Sequence, residues 1–141
     1  MKKSTAVILI SAAVILAVIV ILFPDSRTYE NEPQLIPAAT VSQRISFFAS
    51  HGWEVEEVSE RDIVIPAEFT GEYAEYAEIQ RSQHLPLEHF KGHSGKIYIY
   101  NVKNYSPESH KMLAELIVCD DTAAASLVYS EDGGSIRLSV I

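Results

Sequence analysis

The chain has almost no cysteine and, after its first residues, little positive charge. Cys119 is the single cysteine among 141 residues, so neither an intramolecular disulfide nor a zinc site built from cysteines can form. From residue 24 onward the sequence holds nine lysines and arginines against nineteen aspartates and glutamates. Nucleic acid phosphates would repel a domain with this balance. We therefore expect no nucleic acid partner.

Sequence motifs for catalysis and metal binding are also missing. The chain has no G-x-S-x-G nucleophile elbow, no H-E-x-x-H zinc motif and no glycine-rich phosphate loop. His84, His89 and His93 come nearest to a set of metal ligands. Pro86 and Gly92 interrupt their segment, so no helix can hold the three imidazoles on one face. We expect scattered loop histidines and no bound metal or other cofactor.

Carboxylates are dense in two places, where a pair for acid–base chemistry could arise. One group lies on a predicted strand and the other on a predicted helix: Glu54, Glu56 and Glu57, then Glu72, Glu75 and Glu78. Among nineteen acidic residues, close pairs occur by chance. Nothing in the sequence marks one pair as buried or poised for proton transfer.

A long apolar run occupies residues 6–23, where Ser11 is the only polar residue. As a helix, this run would extend roughly 27 Å at ~1.5 Å per residue, close to the ~30 Å thickness of the hydrocarbon core. Lys2 and Lys3 precede it and acidic residues follow it. The positive-inside rule then predicts a cytoplasmic N-terminus (residues 1–5), a transmembrane anchor (6–23) and an extracytoplasmic remainder.

A cleaved signal peptide is the competing interpretation of the same run. Signal peptides have an apolar region of about 7–15 residues that ends in a small-x-small cleavage site. Here the run is longer and leaves through Ile21-Leu22-Phe23-Pro24, which contains no small pair. We favour the uncleaved anchor. Residues 24–39 contain three prolines and no apolar periodicity, which indicates an extracytoplasmic linker.

Residues 40–141 carry the pattern of one α+β domain. Thr40-Val41-Ser42-Gln43 matches a capping box, and Gly52 is suited to end the helix that it opens. Pro66 predicts the start of a second helix, which should run to about Gln83. Strand signals follow the first helix and fill the second half of the domain, at residues 53–55 and 63–65, 96–102, 112–119, 124–129 and 136–140. This order predicts two helices packed on one face of a mainly antiparallel sheet of four to five strands.

Several local motifs together resemble a known family. They are Phe48-Ala49-Ser50-His51-Gly52-Trp53-Glu54-Val55, then Ile65-Pro66-x-x-Phe69, then Tyr73-x-x-Tyr76-x-x-x-Gln80 and Tyr98-x-Tyr100-x-Val102-x-Asn104-Tyr105. In these, the chain resembles a family of small single-span membrane proteins of Gram-positive bacteria that carry an exported domain of unknown function. The resemblance covers roughly residues 44–140. It implies the fold and the membrane topology, and it assigns no catalytic residue.

Aromatic residues are the remaining functional signal. Six of them are dense for a domain of this size: Trp53, Tyr73, Tyr76, Tyr98, Tyr100 and Tyr105. Such residues either build the core, each hydroxyl with a partner, or form a binding surface. We hypothesise a membrane-anchored extracytoplasmic binding module, non-enzymatic, whose partner is an extracytoplasmic protein or a cell-wall component. The alternative is a small hydrolase or metal-dependent enzyme that uses His84, His89, His93 and nearby carboxylates.

Overall fold

The computed structural model of the protein describes residue 33 and residues 35–141. The predicted membrane anchor (6–23) and most of the predicted linker (24–39) lie outside these residues. In the described part of the chain, no helix has the length and apolar character needed to cross a membrane.

The prediction of an α+β domain is confirmed. Two α-helices are present, α1 at Val41–Ala49 and α2 at Glu72–Ser82, together with short 3₁₀ helices at Leu87–Phe90 and Pro107–Ser109. The strands are β1 (Val55–Val64), β2 (Ser94–Val102), β3 (Met112–Cys119), β4 (Thr122–Ser130) and β5 (Arg137–Leu138). They form one sheet in the order β1-β2-β3-β4-β5, and every neighbouring pair is antiparallel.

Helix α1 begins as the sequence predicts. The Thr40 hydroxyl accepts a hydrogen bond from the Gln43 N–H at 3.1 Å, and the Gln43 side chain accepts one from the Thr40 N–H at 3.1 Å. This reciprocal pair satisfies backbone donors that the helix itself leaves free. After the helix, Gly52 adopts φ +85°, a conformation that glycine reaches at little cost.

Helix α2 does not begin at Pro66, and that prediction is wrong by several residues. The Ile65 N–H donates to the His93 carbonyl, and the Gly92 N–H donates to the Ile65 carbonyl. These bonds keep the chain extended at Ile65, so the helix starts only after Gly71. The charged stretch 59–62 belongs to β1, so residues 63 and 64 extend the strand and do not start a separate one. The register of β1 against β2 shifts once, between Glu57 and Ser59.

The two helices lie on opposite faces of the sheet, which corrects the prediction that they share one face. Phe48 of α1 packs on Tyr100, with ring centroids 4.8 Å apart. Ala77 of α2 belongs to a different cluster, with Ile97 and Ile117. Successive strand residues point to opposite faces, so strands that are apolar on both sides require a cover on each. We call the two sides the α1 face and the α2 face.

Three segments complete the outer edge of β4. Pro37, from the end of the predicted linker, forms a bridge with Thr122, so the folded part begins before residue 40. The Gln80 side chain donates to the Ser126 carbonyl at 2.9 Å and accepts from the Ser126 N–H at 2.8 Å. The two residues of β5 pair with Val128 and Tyr129. The Gln80 amide thus takes the place of a strand and fixes α2 to the sheet.

Candidate functional site

A cleft of about 600 Å³ lies between α2 and the sheet. Its lining includes Ile97, Ile117 and Leu127 from the sheet and Tyr73 and Tyr76 from the helix. The volume falls within the range of small-molecule binding sites, which are mostly apolar with a few polar groups. We call it the α2 cleft.

The cleft exists because α2 makes a narrow contact with the sheet. Ala77 and Gln80 are its only buried residues, whereas Tyr73 and Tyr76 are half-buried beside the opening. The two tyrosine rings pack on each other with centroids 5.6 Å apart. Their side chains therefore form a wall of the cleft instead of filling it.

Glu115 supplies a carboxylate to the middle of this cleft. It lies on β3, the central strand, and its neighbours in register are Ile99 and Leu127. The side chain is half-buried, and burial raises the pKa of its carboxyl, although Tyr76 and the charges of Arg61 and Arg137 act in the opposite direction. No described residue forms an ion pair with this carboxylate within 4.0 Å.

The Tyr76 hydroxyl is the second polar group of the cleft, and it lies beside the Glu115 carboxylate. It is buried, and it forms no hydrogen bond of acceptable geometry with any described residue. Burial and then the nearby Glu115 carboxylate raise the pKa of Tyr76 well above its ordinary value. The phenol is therefore a neutral donor at physiological pH. A buried polar atom left in this state is uncommon in folded proteins and calls for an explanation.

Two arginines flank Glu115 from the edges of the sheet. Arg61 lies on β1 opposite Ile97, and Arg137 lies on β5 opposite Tyr129. Both line the cleft and both are exposed. Because arginine stays charged at any physiological pH, the rim of the cleft carries two fixed positive charges.

The six aromatic residues proposed from the sequence do not form one surface. Tyr73 and Tyr76 line the α2 cleft, whereas Tyr98 and Tyr100 are core residues beneath α1, 7% and 0% exposed. Trp53 and Tyr105 form a separate pair with centroids 5.9 Å apart. The Trp53 indole N–H donates to the Val140 carbonyl at 3.0 Å, which ties the C-terminus to the start of the domain.

The histidines considered as metal ligands are exposed and lie along the segment between α2 and β2. His93 packs on Phe90, and its Nδ1 is 3.7 Å from an Asp120 carboxylate oxygen. Among residues 33 and 35–141, no three histidine, cysteine, aspartate or glutamate side chains are grouped so as to hold a metal ion. His84 and His89 line no part of the α2 cleft.

Of the two carboxylate groups noted in the sequence, one member of each has a defined environment. Glu72 lines the α2 cleft. Glu57 accepts hydrogen bonds from Arg44 and from the Tyr100 hydroxyl, both at 2.9 Å. The other four are exposed on β1, on α2 or just before β1. No pair among the six is thereby marked for acid–base chemistry.

Sequence reasoning missed Glu115, Arg61, Arg137 and Tyr129. Glu115 did carry a signal, since it is the one charged residue in the apolar strand Met112–Cys119. The arginines carried no such signal in the sequence, because only the strand register brings β1 and β5 to the same cleft. Comparisons of the chain with protein-family models, curated proteins and solved structures found no match.

Proposed function

We propose that this protein is a membrane-anchored binding module of the extracytoplasmic space, non-enzymatic, and that the α2 cleft is its binding site. The observation that carries the proposal is a buried Tyr76 hydroxyl without a partner beside a half-buried carboxylate, Glu115, in a cleft of about 600 Å³. A buried polar group without a partner costs roughly 1–3 kcal/mol. A bound ligand that supplies the missing hydrogen bonds recovers that cost.

Binding accounts for the cleft better than catalysis does. The Glu115 carboxylate has no hydrogen-bonded histidine, serine or second carboxylate among the described residues, as a general base that activates a nucleophile would need; the Ser126 hydroxyl donates to the Glu115 backbone carbonyl instead. Cys119 is buried, and burial raises the pKa of its thiol to about 11, which makes it a poor nucleophile. No observation on His84, His89 and His93 favours the alternative enzyme.

The membrane part of the proposal rests on the sequence. The apolar run 6–23 serves as the anchor, the N-terminus stays cytoplasmic, and the partner is an extracytoplasmic protein or cell-wall component. The resemblance to single-span proteins with an exported domain of unknown function belongs to the same proposal.

A photo-crosslinking amino acid at the mouth of the cleft tests the binding site. Val64 lines the cleft and is 68% exposed, whereas Val58, on the same strand, is 50% exposed and does not line it. Each full-length variant is irradiated in native membranes, and its intact mass is measured, so that small and large adducts both register. We expect a discrete adduct at position 64 and none at 58. Equal labelling, or no adduct at 64, would overturn the α2 cleft as the site.

The proposed orientation is testable with a membrane-impermeant maleimide on intact cells. The native thiol, Cys119, is buried and serves as a silent background. Val58→Cys places a thiol on an exposed position. We expect Val58→Cys to be labelled without lysis and the parent chain to remain unlabelled. Labelling of Val58→Cys only after lysis would place the domain in the cytoplasm and contradict the proposal.

A further inference from the structure

The lysines and arginines of this acidic domain are mostly paired. Residues 33 and 35–141 contain eight of them against sixteen carboxylates. Five have a carboxylate within 4.0 Å, and these are Arg44, Arg81, Lys96, Lys103 and Lys111. The other three, Arg61, Lys91 and Arg137, have no described carboxylate at that distance. Lys91 lies over the Phe69 ring, with its Nζ 4.7 Å from the ring centroid. The two cations that remain without a described partner, Arg61 and Arg137, both line the α2 cleft.

That placement is unexpected for a domain with twice as many carboxylates as cations. Most cations here have a carboxylate neighbour, yet the two arginines that line the cleft have no described carboxylate within 4.0 Å. Each guanidinium offers a planar fork of donors that fits a carboxylate or a phosphate. Because Glu72 and Glu115 also line the cleft, an anion is attracted at the two guanidinium groups and not by the cleft as a whole.

Arg137 is also held in position by the turn that precedes it. A Cβ atom on Gly134 would lie 3.1 Å from Arg137 Nε, so the side chain packs closely over that glycine. Gly134 has φ +78°, which favours glycine independently. Gly133 and Gly134 both line the cleft. The turn therefore places the Arg137 guanidinium at the cleft rim.

Glu115 and Tyr76 define what else the ligand must offer. The carboxylate accepts hydrogen bonds, and the phenol donates one. A ligand that carries only an acid group would satisfy the arginines and bring its charge towards Glu115. A ligand with an added hydroxyl, amide or amino group can donate to that carboxylate.

Resting on the proposed function, we infer that the α2 cleft binds an organic oxyanion, a carboxylate or phosphate on an apolar or aromatic body. Its acid group is held by Arg61 and Arg137. Its body packs on Ile97, Ile117 and Leu127, and a donor group bonds to Glu115. The two acid groups share this chemistry, and the test separates them.

The test uses three fluorinated probes with one aromatic body: 4-(trifluoromethyl)phenylacetate, 4-(trifluoromethyl)phenyl phosphate and the neutral methyl ester of 4-(trifluoromethyl)phenylacetate, which has no hydrogen-bond donor for Glu115. Binding to the full-length protein in detergent is followed by fluorine NMR line broadening, with the same detergent alone as background. We expect at least one anionic probe to bind about tenfold more tightly than the ester, the scale of one charge-assisted contact. The better of the two anions identifies the acid group.

Variants decide whether the binding belongs to the cleft. Arg61→Gln and Arg137→Gln should each abolish the preference for the anion, and added salt should weaken it. Lys91→Gln removes a third unpaired cation outside the cleft and should change nothing. Both arginines are exposed, so unchanged thermal unfolding is expected for their variants and is measured alongside. An anion preference that survives both arginine variants would overturn the inference.

Failure of this inference is separable from failure of the proposed function. If position 64 crosslinks a native ligand but the anions bind no better than the ester, the cleft is a binding site and the anion chemistry is wrong. If position 64 yields no adduct, the proposed site fails as well.

Discussion

The two faces of the sheet are completed in different ways. On the α1 face, Arg44 is 5% exposed, lies 3.8 Å from the Tyr98 ring centroid and donates to Glu57, which also accepts from the Tyr100 hydroxyl. Phe47 and Phe48 pack on this face of the sheet and cover it. On the α2 face, the Tyr76 hydroxyl lies beside the Glu115 carboxylate but forms no hydrogen bond of acceptable geometry with any described residue, and a cleft lies between part of the helix and the sheet.

The difference shows which polar groups serve the fold and which are available for binding. On one side of the sheet, an arginine, a carboxylate and a tyrosine meet one another's bonding needs. On the other side the same three residue types lie near one another, but no described ion pair or well-formed hydrogen bond joins their side chains. A buried polar group without a hydrogen bond lowers the stability of the fold. Its presence beside an open cleft therefore favours a binding role over a structural one.

The largest effect should come from breaking the network on the α1 face. Arg44→Ala leaves the Glu57 carboxylate without its ionic partner, and such losses cost about 3–5 kcal/mol when the pair is buried. Urea unfolding followed by Trp53 fluorescence measures the change. Arg61→Ala, on the α2 face, should stay within about 0.5 kcal/mol because that side chain is exposed and unpaired. Equal losses would contradict the distinction between the faces.

Attachment of α2 to the sheet depends on polar bonds, which the next substitution removes. Gln80→Leu leaves the Ser126 N–H without its partner and deprives the Ser126 carbonyl of one of two donors. We expect a loss of about 2–3 kcal/mol in the free energy of unfolding. Glu75→Leu, at an exposed position of the same helix, is the matched control and should cost little. If Gln80→Leu were neutral, apolar packing alone would hold α2.

The same substitution on the two faces should have different effects. Tyr100→Phe removes a hydroxyl that donates to Glu57 at 2.9 Å and should destabilise by about 1–1.5 kcal/mol. Tyr76→Phe removes a buried hydroxyl that has no partner and should be neutral or stabilising. Thermal unfolding of the two variants provides the comparison. A loss for Tyr76→Phe as large as that for Tyr100→Phe would show that the Tyr76 hydroxyl is bonded.

The smallest effect should appear in the pH dependence of stability. The folded protein raises the pKa of Glu115 above its ordinary 4.5, so it binds that proton more tightly than the unfolded chain does. The contribution of the Glu115 carboxyl to the free energy of unfolding is then fully present below about pH 4.5, and it is lost as the pH rises through the folded-state pKa.

Glu115→Gln removes the titrating carboxyl, so the variant should not lose this stability as the pH rises. The variant should match the parent at low pH and exceed it at neutral pH, by less than about 1 kcal/mol. Melting temperatures across the pH range give the difference directly. Tyr76, Tyr129, Glu72, Arg61 and Arg137 also line the cleft, and of these only Glu72 is a second carboxylate. Glu72→Gln is therefore the control. A stability difference between Glu115→Gln and the parent that grew towards low pH would contradict the predicted direction of the effect.

Local elements could be predicted wherever a few neighbouring residues determine them. The capping box at Thr40 and Gln43 was read correctly because both partners lie within one helical turn. The strand Met112–Cys119 was predicted to the residue from its apolar run. The start of α2 was missed, because the bonds that hold Ile65 extended come from Gly92 and His93, far along the chain.

The candidate site was predictable only in part. Aromatic character points equally to Tyr73 and Tyr76, which line the cleft, and to Tyr98 and Tyr100, which lie in the core. Alternation along β2 shows that these two share a face, but it does not show which helix covers that face.

By itself, the sequence determined the α+β class, the antiparallel strands and the acidity of the domain, since these follow from residue type and short periodicity. It also contains the apolar run 6–23 that predicts an anchor. Only the tertiary structure decided that the helices cover opposite faces, that Gln80 completes β4, and that Arg61, Glu115 and Arg137 line one cleft. These features depend on strand register and side-chain contacts between distant segments, and no local pattern encodes such distances.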